Sequence, residues 1–252
     1  MRNPALGRVV VNLLGECRLT VDGRIITGVP AHFFRIAAYL ILSGVRGIVP
    51  RQKISTLLWL NATEQQAAAN LRQALARIRH VQDEHGFTFV EGNFSSLYLV
   101  HTPEVACDLG RFADDYYGRK ALSLEELCEI YTGDLLGGME EASEDFEEWL
   151  ASWRGRLQME TSERLMAALE QDADPAVAPS AQVTAAQCLL SIDPYNEHAV
   201  RFLMQEAAKH GQAGRLKHLY AEIVTVLANE LGIQPSAQTQ NLYRMLRQEL
   251  GI

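Results

Sequence analysis

The 252-residue sequence has no apolar run long enough to cross a bilayer. Its longest, Ile36 to Leu42, lies between Arg35 and Ser43 and falls far short of the ~20 residues a spanning helix needs. No membrane partner is expected. The opening Met1-Arg2-Asn3-Pro4, followed by Val9-Val10-Val11-Asn12-Leu13-Leu14, lacks a long apolar stretch and a small-residue cleavage site, so the protein is expected to stay in the cytoplasm. Cysteine is sparse. Cys17, Cys107, Cys128 and Cys188 are spread so that no two have metal-clip spacing, which reads as four reduced structural thiols and no metal. Also missing are the G-x-x-x-x-G-K-S/T phosphate loop, a G-x-G-x-x-G after a strand, H-E-x-x-H and the G-x-S-x-G nucleophile elbow. The seven histidines are scattered, each more simply a surface or core residue than a catalyst. The acidic stretch Glu140 to Glu148 lacks calcium-loop spacing and leads into a helix, where acidic side chains favour the N-terminus. Neither a catalytic residue nor a cofactor is expected, and an enzyme is the disfavoured reading.

What is present is a divided chain. The formal charge of -8 hides 11 Lys/Arg against 6 Asp/Glu in residues 1–100 and 12 against 25 in residues 101–252. A basic part joined to an acidic part points to a polyanion-binding segment with a partner of different character attached. With 48% hydrophobic residues, both parts have apolar material for a core.

The basic part opens with strand-like alternation at Val9, Val11 and Leu13, then Cys17, Leu19 and Val21, with Asp22-Gly23 as a tight turn before Arg24-Ile25-Ile26. Pro30 suits the first turn of a helix carrying Phe33, Phe34, Ala37, Leu40 and Ile41, which ends at Ser43-Gly44. Pro50 opens a second helix with Ile54, Leu57, Leu58 and Trp59, the last expected in the core. Thr63 caps a third helix running from Glu64 through Val81 to about Glu84, and Gly86 ends it. Phe87 to Val90, a Gly92-Asn93 turn and Ser96 to Val100 read as a hairpin. Sheet, three helices and hairpin make a winged helix-turn-helix.

Past His101-Thr102-Pro103 the strand signals stop, which puts a boundary near 101–107 and gives domains of 1–103 and 104–252. The second reads as helices at 108–117, 123–132, 144–171, 180–191, 196–210, 213–231 and 236–250, with Asp108 as a cap and a loop at Asp172 to Ser180. Pro194 and Pro235 stand 41 residues apart, near the length of a helix-hairpin repeat. Short helices joined by short loops bury their faces only by stacking, so an all-α tetratricopeptide-like domain is expected. The fold class is thus mainly α with small β.

On the third helix Leu71, Ala74, Leu75 and Ile78 share one face, and the opposite face presents Gln66, Ala69, Gln73, Ala76, Arg77 and His80, flanked by Asn70, Arg72 and Arg79. Small residues allow close approach to a major groove, Gln and Asn pair with adenine edges, and Arg pairs with guanine or phosphate. Gln66, Asn70, Gln73 and Arg77 are the expected base contacts. Arg35, Arg46, Arg51, Lys53, Arg72, Arg79, His80, Asn93 and Ser95 are the expected backbone contacts. A solvated helix face is the competing reading of the same residues.

Gly15 to Gly23, Val49-Pro50-Arg51-Gln52-Lys53-Ile54 to Leu58-Trp59, and Asn70-Leu71-Arg72-Gln73-Ala74-Leu75-Ala76-Arg77-Ile78-Arg79 resemble the OmpR-type winged helix of antibiotic-regulatory (SARP-like) activators. Tyr131-Thr132-Gly133-Asp134-Leu135-Leu136, Phe146 to Leu150, Asp193-Pro194-Tyr195-Asn196-Glu197 and Glu230 to Ser236 resemble the bacterial transcriptional activation domain, which is tetratricopeptide-like. The order of modules is also the family's. The resemblance implies an activator without a receiver domain that dimerises on direct repeats of a double-stranded operator and recruits RNA polymerase. Trp153 departs from it, standing where the family often has an acidic residue. A helical-repeat scaffold or effector sensor whose winged helix does not bind DNA, and the regulatory part of a longer protein, remain open.

Overall fold

The computed structural model describes residues 7–43, 48–116, 118, 120–139, 142–170 and 178–252. They form two compact units, the first within Met1–Leu122 and Ile130–Arg156, the second from Ser123–Glu129 and Leu157–Ile252.

In the first unit, β1 (Val9–Asn12), β2 (Arg18–Val21) and β3 (Arg24–Ile25) form the expected antiparallel meander. Val9 lies opposite Val21 and Val11 opposite Leu19, and all four are buried, as the two-residue period requires. Asp22 and Gly23 both take positive φ, 50° and 79°, the twist a two-residue hairpin turn demands. The sheet does not end there. Val105–Cys107 forms a further strand (β7 in chain order) parallel to β1, giving the order β3-β2-β1-β7. Strand structure therefore continues beyond His101-Thr102-Pro103, and three residues are too few to show alternation.

Helix α1 (Ala31–Ser43) buries Phe33, Ile36 and Leu40 completely. Pro50 stands at the start of the second helix as expected, and Ile48–Pro50 is also a strand (β4) on the wing sheet, where β6 (Ser96–Leu99) lies between it and β5 (Val90–Gly92). The hairpin is shorter than its apolar residues suggest. Phe87 and Phe89 precede it and pack around Phe33 at ring separations of 6.5 and 6.2 Å. The backbone beside them is satisfied by buried Gln82, which accepts from the N–H groups of Phe89 and Val90 and donates to the Val90 carbonyl. Trp59 is half-buried instead of fully buried, with its ring 4.9 Å from that of His32.

Asp108 opens α4 (Asp108–Tyr116) and does more than cap it. Its buried carboxylate accepts from the backbone N–H groups of Leu13 (2.8 Å), Leu14 (3.1 Å) and Leu109 (2.6 Å). Burial pushes its pKa up against the pull of those donors. Residues 132–136 and Arg154 close over the same corner. Gly15 N–H donates to the Asp134 carbonyl, Leu136 N–H to the Leu13 carbonyl, and Thr132 Oγ1 to the Leu14 carbonyl. Gly15 has φ +81°, and a Cβ there would lie 2.6 Å from Thr132 Oγ1, so only glycine fits. Arg154 donates to the carbonyls of Leu135 and Leu136. The Trp149 indole donates to Ser43 Oγ at 2.8 Å, with its ring 4.9 Å from that of Tyr39.

The second unit is helical, as the periodicity predicts. It takes in α5 (Leu124–Ile130) up to Glu129 and the part of α6 (Glu144–Ala167) beyond Arg156, followed by α7 (Pro179–Ile192), α8 (Glu197–Lys209), α9 (Ala213–Val226) with a π-helical turn at Leu227–Leu231, and α10 (Ala237–Glu249). Helix α8 packs on α7, α9 and α10, the neighbour pattern of stacked helix hairpins. Val200, Leu203, Met204, Ala207, Leu216, Ile223 and Leu227 are buried, while Leu219 and Tyr220 lie at the margin, where Tyr220 stacks on Tyr243 at 3.8 Å. Glu197 ties α8 to the start of α10, accepting from Ser236 N–H and Oγ, and Arg201 donates to Thr239 Oγ1 at 3.0 Å. Burial would raise the Glu197 carboxyl, but hydrogen bonds from Thr239 and Ser236 outweigh it and hold its pKa below the ordinary value. The expected loop at Asp172 to Ser180 and the glycines at 44 and 47 fall mostly or wholly outside the described residues.

Candidate nucleic-acid interface

Helix α2 (Arg51–Leu58) and the 22-residue α3 (Glu64–His85) are joined by the short turn 59–63 and pack on each other. The start of α3 is fixed by a capping box. Thr63 Oγ1 accepts from Gln66 N–H, and the Gln66 side-chain oxygen accepts from Thr63 N–H at 3.0 Å. Gly86 closes the helix in the left-handed conformation at φ 64°.

Ala67, Leu71, Ala74, Ile78 and Gln82 bury one face of α3, and Leu75 is half-buried at its edge. Gln66, Arg72, Gln73, Ala76, Arg77, Arg79 and His80 are exposed on the remainder, with Ala69 and Asn70 half-buried. The Gln66 oxygen is committed to the cap, which leaves the amide N–H₂ to face outward. Arg79 is 3.5 Å from Glu91 and His80 is 4.0 Å from Glu84. Among the described residues, Arg72 and Arg77 make no ion pair.

The wing stands beside this face. At its tip Asn93 Oδ1 accepts from Ser95 N–H (3.0 Å), Ser96 N–H (2.9 Å) and Ser95 Oγ (3.2 Å). Arg51 Nε donates to the Asn93 carbonyl at 2.7 Å, and Arg51 N–H donates to the Ser95 carbonyl at 2.9 Å. The first residue of α2 therefore braces the wing. A groove of about 980 Å³ runs between wing and helices, lined by Arg51, Gln52, Gln65, Arg72, Phe94 and Ser95 among others.

Two of the expected backbone contacts do not belong to this surface as described. Arg35 is only 8% exposed, because its position on α1 falls among Phe34, Ile36 and Ala38, all buried, so its guanidinium does not face a DNA surface. Arg46 lies outside the described residues. Lys53 is exposed with Nζ 5.9 Å from the Tyr39 ring centroid, on the flank of α2. The structure adds Phe94, wholly exposed at the wing tip. The signal for it was an apolar residue enclosed by Asn93, Ser95 and Ser96, in a position where turn chemistry does not need one.

Among the described residues no cluster of three His, Cys, Asp or Glu side chains could hold a metal ion, and no helix is long and apolar enough to cross a membrane.

Residues 107–247 match the family model described as bacterial transcriptional activator domain. Over 255 aligned positions the chain is 27% identical to the regulatory protein AfsR of Streptomyces coelicolor, an alignment that takes in 96% of this chain and 24% of that protein. The chain thus spans about a quarter of the length of this curated relative. Among solved structures it is similar to Mycobacterium tuberculosis EmbR, determined in complex with a low affinity phosphopeptide. That likeness has a TM-score of 0.53 at 19% identity, covers 96% of this chain and 65% of the other, and is a likeness of fold.

Proposed function

Because the chain belongs to the bacterial transcriptional activator domain family, with the matching segment covering more than half of its length, we propose that it is a sequence-specific DNA-binding transcription regulator that activates its targets. The observation that carries this reading is the capped helix α3, which holds Gln73, Ala76 and Arg77 in solvent beside a braced wing. In it, Asn70, Gln73 and Arg77 contact base edges, with the Gln66 amide at the margin. Arg72, Arg79, His80, Lys53, Asn93 and Ser95 contact phosphates, and Arg51 contributes mainly by fixing the wing. The acidic helical unit contacts RNA polymerase, the partner an activator needs, and two copies bind direct repeats. Acting on chromosomal DNA assigns the protein to the cytoplasm.

The test is selection of bound fragments from genomic DNA by the purified full chain, followed by binding of the variants across a salt series. Arg77→Ala or Gln73→Ala is expected to relax base preference, with about 1–3 kcal/mol of discrimination lost at the contacted pair. Arg72→Ala is expected to weaken all sequences alike and to flatten the log-log salt slope by about 0.9. Unchanged sequence choice in both the Arg77 and Gln73 variants would sink the base-reading role of α3. Failure of the full chain to retain any duplex at low salt would leave a helical-repeat scaffold as the function.

A further inference from the structure

Phe94 is 102% exposed, whereas Leu97 and Leu99 on the same hairpin are buried. An apolar ring in water is unfavourable, so a chain that holds one there gains when something covers it. The turn that carries the ring is also held firmly. Asn93 Oδ1 gathers three donors from Ser95 and Ser96, the Asn93 carbonyl is fixed by Arg51, and Asn93 N–H closes on the Ser96 carbonyl at 3.0 Å. Gly92 allows the close hairpin, since a Cβ there would collide with the Leu97 side chain.

Single exposed apolar residues are common on protein surfaces. This one differs in its surroundings. It shares a groove with Arg51, Arg72, Gln65 and Ser95, and α3 adds no exposed large apolar side chain to it. A protein-binding hot spot sits within a packed apolar patch rimmed by polar groups. Phe94 instead stands alone among polar side chains that include the cations Arg51 and Arg72, with the groove's carboxylate, Glu64, taken up by Gln52 at 3.1 Å, an arrangement suited to one stacked base step between phosphates. We propose that Phe94 is a wedge that enters the minor groove beside the segment read by α3, partly unstacks one base step and bends the duplex. The inference rests on the DNA-binding reading of α3 and adds to it a second source of sequence choice. Pyrimidine–purine steps unstack most easily, so such a step is favoured under the wing although no side chain reads its edges.

The experiment uses the full chain and a duplex recovered by the selection described above, with 2-aminopurine placed at successive positions flanking the α3 site and with donor and acceptor dyes at the duplex ends. The wild-type chain is expected to raise 2-aminopurine emission at one flanking position and to shorten the end-to-end distance. Phe94→Ala is expected to abolish both signals and weaken binding roughly tenfold, the scale of losing one base–aromatic stack. Its choice among sequences within the α3 site should persist, and Phe94→Leu should restore part of the bend. The ring makes no core contact, so the thermal unfolding midpoint of Phe94→Ala should match the wild type and separate this effect from misfolding. Unchanged affinity, emission and bend in Phe94→Ala would overturn the wedge while leaving the α3 reading intact. Unchanged DNA binding with lost retention of RNA polymerase would overturn it in favour of a protein contact. If the wild type binds no duplex, both readings fall together, whereas loss of sequence choice only in Arg77→Ala supports the α3 reading independently of Phe94.

Discussion

The imidazole of His32 lies 4.9 Å from the Trp59 ring, and its Nδ1 is buried with no hydrogen-bond partner. Burial, then the positive charges of Arg35 and Arg77, hold its pKa below the ordinary 6.5. The unfolded chain therefore takes up this proton more readily than the folded one. Its contribution to stability is fully present above pH 6.5 and is lost as pH falls through the lower folded value. The unfolding midpoint is expected to drop on acidification through that window, and His32→Phe to flatten the drop. Parallel profiles for the two proteins would show that His32 does not set it. Other residue-level features lay beyond the linear sequence for the same reason, that packing made them. Cys128 on α5 meets α7 far along the sequence, its Sγ donating to the Thr184 carbonyl at 3.9 Å, because the second unit brings the two helices together. The neighbouring Cys188 thiol and burial push the Cys128 pKa up. Arg35 departs from its expected place because a long basic side chain on an amphipathic helix is ordinarily outward, whereas here its neighbours from Phe33 to Leu40 are buried.

Long periodic elements were the legible ones. The capping residue, the apolar stripe and the terminal glycine of α3 all agree, so its limits are legible to within a residue or so, as are those of α7, α8 and α10, whereas the expected helix 213–231 takes in both α9 and its π-helical turn. Thr63→Ala is accordingly expected to cost about 1 kcal/mol in unfolding free energy, seen as a lower denaturant midpoint at constant slope. Equal midpoints would mean that packing of Ala67 and Leu71 alone fixes the start of α3. Strands β4 and β7 were not legible. Each has three residues, and each exists because a longer strand already in place, β6 or β1, offers it an unpaired edge. The exposed face of α3 could be listed from the sequence, but not the wing brace, since Arg51 and Asn93 meet only after β4, α2 and the hairpin have folded together.

For the whole molecule, the basic and acidic halves of the sequence do not coincide with the two compact units. The first unit extends to Arg156 and includes β7, Asp108 and the segment that covers Leu13 and Leu14. A fragment of residues 1–156 is therefore expected to unfold cooperatively, and a fragment of residues 1–103 to melt at lower temperature or aggregate, because it uncovers the edge of β1 and two fully buried leucines. Matching melting curves would show that the shorter segment folds alone. Charge marks what each region meets outside the protein, whereas unit boundaries follow burial, so one cannot be deduced from the other.

The clasp of Asp108, Thr132 and Leu136 on the end of β1 also sets a schedule. Strand β1 leaves the ribosome about a hundred residues ahead of its parallel neighbour and of the carboxylate that holds Leu13. At roughly 5–20 residues per second, the chain from Val9 to Arg156 takes about 7–30 s to synthesise. Leu13 and Leu14 wait for Asp108 through about the first two-thirds of that interval, and for Thr132 and Leu136 longer still. A nascent chain halted before Asp108 therefore presents an unfinished sheet edge and two uncovered leucines to chaperones and proteases.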